Sequence, residues 1–85
     1  MKYIVILDSG NYVYKLDAEL RKQGYKFEIV STPCHVAKSG CGLCLKFPAE
    51  YFDLVRAVAD SSDTPVREAY KVIQGFSKNK YERIL

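Results

Sequence analysis

Apolar and polar positions follow one another along this chain in two rhythms, and the switches between them mark out its elements. Tyr3-Ile4-Val5-Ile6-Leu7 is apolar on both parities, which predicts a central strand. Asp8-Ser9-Gly10-Asn11 supplies capping chemistry for a helix in which Val13, Leu16 and Leu20 recur at helical spacing. Lys15, Asp17, Glu19, Arg21 and Lys22 take the wet side of that helix, and Gly24 stands where a left-handed residue ends it. Phe27 to Ser31 predicts a second strand, stopped by Pro33, which has no N–H for a ladder. Leu43, Leu45 and Phe47 alternate with Cys44 and Lys46, the period of a third strand. Pro48 suits the first turn of a second helix, whose apolar face is Tyr51, Leu54, Val55 and Val58.

Residues 66–73 fit two patterns. Val66, Tyr70 and Val72 would line one face of a strand, whereas Val66, Ala69, Tyr70 and Ile73 fit a helix capped by Thr64. An open sheet edge invites unwanted pairing and a strand here would cover one, so the strand is preferred. In the tail, Tyr81, Ile84 and Leu85 are read as a short helical face that docks on the sheet or on a partner. The order β-α-β-β-α-β predicts an α+β fold, a ferredoxin-like plait with a four-stranded antiparallel sheet and two helices on one face. Residues 1–75 would form this single domain, and 76–85 a basic, aromatic C-terminal tail.

Composition narrows the function classes. A chain of 85 residues, 48% hydrophobic and 27% charged, buries one modest core and has no second domain to wall a deep cavity. The net charge of +3 is mild, and the seven Tyr and four Phe fall on core positions, not in a stacking stripe, so no nucleic-acid partner is expected. Ser9 and Gly10 read as a cap and a turn, since a phosphate-binding loop needs more glycines and a lysine. The first apolar run is stopped by Asp8, too short for an export signal or a membrane span. The expected compartment is the cytoplasm, with no membrane partner. Thiols stay reduced there, so cysteines serve as catalytic, carrier or metal-binding groups more often than as staples.

All three cysteines and the single histidine fall between Ser31 and Phe47. Cys41-Gly42-Leu43-Cys44 is a C-x-x-C, but Cys44 belongs to the alternation of a strand. Three residues of extended chain span about 10 Å, beyond the roughly 7 Å that a disulfide tolerates between Cα atoms. Cys34, across the hairpin, is the easier partner for Cys41, and Cys44 reads as a small buried hydrophobe. In the plait this loop is placed at the end away from both helix N-termini. A thiolate would then draw on Lys38, Lys46, His35 or loop amides, with Gly40 and Gly42 letting N–H groups crowd the sulfur of Cys41. Two alternatives stay open. Cys34, His35, Cys41 and Cys44 are four zinc-competent side chains, although adjacent Cys34 and His35 make an awkward pair of ligands. A reversible Cys34–Cys41 disulfide would instead mark a small thiol-disulfide oxidoreductase.

At Thr32-Pro33, Cys41-Gly42 and the strand Leu43-Cys44-Leu45-Lys46-Phe47, the chain resembles a family of small domains described as Se/S carrier protein-like. Glu68-Ala69-Tyr70-Lys71-Val72 is similar to that family's last strand, so the resemblance runs from Lys2 to Ile73. It implies a carrier of sulfur or selenium with Cys41 as the key thiol, no cofactor, and donor and acceptor proteins as partners; homo-oligomerisation is left open. The chain departs from the family at Cys34, where arginine is common after Thr-Pro, at Gly40, where a polar residue is usual, and at the extra thiol of Cys44. The missing arginine removes a cation beside the sulfur, and the extra thiols point away from simple carriage, to a resolving disulfide or a bound metal. In the carrier reading Cys34 is the resolving thiol, with His35 and Lys38 assisting by charge and Gly42 by backbone donation.

Overall fold

The computed structural model describes residues 1–32, 42–75 and 79–85. The strands are β1 (Lys2–Ile6), β2 (Glu28–Ser31), β3 (Leu43–Pro48), β4 (Glu68–Ile73) and β5 (Lys80–Arg83). The helices are α1 (Gly10–Lys22) and α2 (Phe52–Ser61), the latter entered through one 3-10 turn at Ala49–Tyr51. The strands form one antiparallel sheet in the order β2-β3-β1-β4-β5.

The architecture is therefore α+β, as the periodicity predicts, with a five-stranded sheet in place of the expected four. The fifth strand is the tail. Lys80–Arg83 pairs with β4, Val72 opposite Tyr81 and Tyr70 opposite Arg83. Tyr81 and Ile84 therefore do not share a helical face. The open backbone edge of β4 supplies hydrogen bonds that an isolated helical turn of a few residues cannot match. Residues 68–73 form a strand, and Pro48 both closes β3 and caps the 3-10 turn that leads into α2, so it stands one position ahead of the helical turn expected for it.

Local chemistry places the remaining boundaries. Ser9 is the N-cap of α1, its hydroxyl accepting from the Tyr12 N–H at 3.4 Å. Gly24, at φ 91°, takes the left-handed conformation beyond that helix's C-cap. Alternation along the strands then separates two apolar clusters. Val5, Leu45, Phe47 and Ala69 meet Val13, Leu16, Leu20, Val55, Val58 and Ala59 of both helices in the main core. On the opposite face, Ile4, Cys44, Tyr70 and Val72 form a smaller cluster flanked by Ile6, Val30 and Tyr81. Phe27, placed in the second strand by its sequence pattern, precedes β2 and tilts against Phe47 and Tyr51 at the rim of the main core.

Candidate functional site

The cysteine-bearing connection leaves and re-enters the sheet at two residues that touch. The Thr32 N–H donates to the Gly42 carbonyl at 2.7 Å, one step beyond the last β2–β3 register pair, Ser31 with Leu43. Thr32 is buried and Gly42 is exposed, and a Cβ on Gly42 would meet nothing within 4 Å. This root is thus pinned by its backbone and open on the Gly42 side. Cys34, His35, Lys38, Gly40 and Cys41 lie outside the described residues, and with them the expected Cys34–Cys41 pairing.

One expectation about the surroundings of this root is overturned. β1 and β2 both run antiparallel to β3, so they run parallel to each other. The β1-to-α1 turn and the β2-to-β3 connection consequently leave the sheet at the same end. The N-terminus of α1 stands beside the root: a Cβ on Gly10 would lie 3.6 Å from Leu43 Cδ1. Its first turn carries no acidic side chain, which leaves the positive end of the dipole unanswered within the helix. Asp8, just ahead of the cap, is held by Arg67 at 3.3 Å. For α2 the expectation stands, because the chain reaches it through Pro48, paired with Lys2 at the other end of the sheet.

Cys44 lies opposite Val30, on the face away from the helices, and is fully buried. Burial pushes its thiol above the ordinary 9.0, while a hydrogen bond with Thr32 and the charge of Lys46 act in the opposite sense. It is a protonated thiol at neutral pH, and a thiol without thiolate character is a poor nucleophile. Among the described residues no group of three or more His, Cys, Asp or Glu side chains is placed to hold a metal ion. Three members of the zinc set, Cys34, His35 and Cys41, lie outside those residues.

The same end of the sheet carries a cluster that the sequence pattern does not single out. The Tyr70 hydroxyl donates to Glu68 Oε1, and Arg83 approaches that oxygen at 3.8 Å. Glu68 pairs in register with Ile6, at the end from which the cysteine connection emerges. The i, i+2 spacing of Glu68 and Tyr70 already places them on one face of a strand. Arg83 joins them only through the register of β5.

A family model described as "Putative Se/S carrier protein-like" matches residues 2–71, a span that includes Cys34, Cys41 and Cys44. The chain belongs to the Se/S carrier protein-like family. The tail strand β5 lies beyond the matched span. No curated protein and no solved structure matches the chain. Among the described residues no helix is long and apolar enough to cross a membrane.

Proposed function

We propose that this chain carries sulfur or selenium between proteins on the thiol of Cys41, with Cys34 as the resolving thiol. The observation that carries the reading is the family match across residues 2–71. Two features support it. Burial takes Cys44 out of contention as a nucleophile, which leaves the two thiols of the connection. Cys41 is also joined by one peptide bond to Gly42, the exposed root beside the N-terminus of α1. A helix N-terminus favours negative charge on a nearby sulfur.

In the proposed cycle the Cys41 thiolate attacks the outer sulfur of a persulfide on a donor protein. The bond from Cys41 Sγ to that sulfur forms, the donor's S–S bond breaks, and the donor departs as a thiolate. For release, the Cys34 thiolate attacks Cys41 Sγ. Hydrosulfide leaves with the electron pair, a Cys34–Cys41 disulfide forms, and an external dithiol reduces it before the next round. Selenium follows the same course with a perselenide and hydrogen selenide. His35 and Lys38 assist by charge, and Gly40 and Gly42 by their amides. The fold in this reading is the ferredoxin-like plait of β1–β4 with β5 added at its edge, working in the cytoplasm.

Intact mass spectrometry after incubation with a cysteine desulfurase and cysteine, or with selenocysteine and its lyase, tests the proposal. A one-atom adduct, or the Cys34–Cys41 disulfide that its release leaves, is expected on the wild type and on Cys44→Ala; the adduct should accumulate on Cys34→Ser, and neither should form on Cys41→Ser. A wild-type chain that stays unmodified, while a known carrier loads in parallel, would sink it.

A further inference from the structure

The face of the sheet away from the helices is only partly filled, and two adjoining cavities open on it. The larger, about 550 Å³, is lined by Met1, Lys2, Lys46, Lys71, Val72 and Ile73 at the end where β1 begins. The smaller, about 160 Å³, has Ile4, Val30 and Val72 as its apolar lining, with Ser31, Lys46 and Tyr81 around them. The two share Lys46 and Val72, so together they make one groove along the sheet. One end of the groove opens among lysines. The other reaches Ser31, one residue before Thr32, the root of the cysteine connection.

Charge is one-sided along this groove. Ile4 pairs with Lys46, and Lys2 lies two residues before Ile4 on the same strand, so Lys2 and Lys46 project from the same face. No carboxylate of a described residue lines either cavity. Glu28 stands opposite Lys46 in register, yet among the described residues neither Lys2 nor Lys46 forms an ion pair. Glu68, which shares the face of the small cluster, is already engaged by Tyr70 and Arg83.

We propose that this groove receives an extended acidic segment of the protein that delivers sulfur or selenium to the chain or collects it. The proposal rests on the carrier reading. An extended segment alternates its side chains, so apolar groups would meet Ile4, Val30 and Val72 while carboxylates between them reach Lys2 and Lys46. A strip the length of β1 accommodates about five such residues at about 3.3 Å each. A second copy of this chain is a poor occupant, because it would bring the same lysines and a net charge of +3 against them. A flat lipid surface would not enter a concave groove between strands. With its far end one residue from Thr32, the groove would aim a bound segment at the connection that holds Cys34 and Cys41.

The test is fluorescence anisotropy with the full chain and a labelled peptide of alternating glutamate and leucine. Charge reversal, Lys2→Glu with Lys46→Glu, is expected to weaken binding by about tenfold or more. Lys15→Glu on the outer side of α1 is expected to leave it unchanged, and Lys2→Arg with Lys46→Arg to preserve it. Unchanged binding in the charge-reversed chain overturns the proposal, as does displacement of the peptide by equimolar inorganic phosphate or transfer of the chain from the peptide to phosphatidylserine vesicles. Binding is also read on Cys41→Ser. Peptide binding without sulfur loading on the wild type breaks the carrier reading and leaves the groove, whereas loading without peptide binding breaks the groove alone.

Discussion

On the face of the sheet that the helices cover, Val5, Leu45, Phe47 and Ala69 are all fully buried. One residue along the same strands, the other face carries Ile4, Lys46, Cys44 and Tyr70, a mixture of apolar, charged and titratable groups. The first face is apolar at these positions because two amphipathic helices remove them from water. Among the described residues no helix covers the second, whose apolar residues shrink to a small cluster with lysines at its border. The difference gives stability to one side and, in the reading proposed above, exchange with partner proteins to the other. A strand's period of two lets a single β3 serve both.

The strongest way to break this comparison is on β3 itself. Phe47 is fully buried and lies edge-on to Tyr3, with Phe27 tilted against it. Phe47→Ala is expected to cost about 3–5 kcal/mol, enough to unfold much of a domain whose total stability is of order 5–15 kcal/mol. Urea denaturation followed by circular dichroism measures it. A loss no larger than that of a surface substitution would mean that the helix-covered face is not the principal core.

A smaller effect is expected from the buried thiol. Cys44→Ala removes one sulfur atom from a tight cluster, a cost of about 1 kcal/mol. Alkaylation of the native chain by iodoacetamide is expected to spare Cys44 until the chain is unfolded. Rapid labelling of Cys44 in the folded state would contradict its burial.

Titration separates the faces a third time. Burial raises the Cys44 thiol above 9.0, and the bond to Glu68, followed by burial, raises the Tyr70 hydroxyl above 10.0. Each group is neutral when protonated and each holds its proton more tightly in the folded chain. The stability each contributes is therefore complete below its unfolded value and is lost as pH rises through its folded value. The urea midpoint should fall as pH rises beyond about 9 for Cys44 and about 10 for Tyr70. Cys44→Ala and Tyr70→Phe should each flatten part of that decline, whereas Val5→Ala on the helix-covered face should lower stability at every pH. An alkaline decline identical in Tyr70→Phe and the wild type would remove Tyr70 from the account.

How far the sequence pattern reaches follows the same division. The alternation of Leu43 to Phe47, the cap at Ser9 and the left-handed turn at Gly24 are local, and each is legible because one residue's chemistry decides it. The tail is not local. Tyr81 and Ile84 are spaced for a helical face, and only the free edge of β4, distant in sequence, turns them into a strand and its continuation. Pro48 was equally ambiguous, since a strand end and a helix start both tolerate its missing N–H. The position of the α1 N-terminus is legible in the β-α-β order itself, because a single-helix crossover makes β1 and β2 parallel and the helix starts at the end where β2 finishes. The candidate site splits in the same way. Its residue types are visible in the stretch from Ser31 to Phe47, while the lysine-lined groove and the Glu68–Tyr70–Arg83 cluster exist only once β1, β4 and β5 are side by side.

The smallest stability effect belongs to Lys46, and it is the sharpest comparison because Lys46 and Phe47 are neighbours on one strand. Its ammonium borders the groove and forms no ion pair among the described residues, so Lys46→Ala removes little that holds the fold together. The expected loss is within about 0.5 kcal/mol, as for surface substitutions generally. If the open face serves exchange, the same substitution should slow sulfur uptake from a donor protein at low ionic strength more than in high salt, because the steering charge is screened there. Stopped-flow transfer from a persulfidated desulfurase, measured over a salt series, reads this directly. A variant as stable as the wild type that also loads at the same rate at every salt concentration would leave the open face without a role in exchange, and the two sides of the sheet would differ only in how well they are packed.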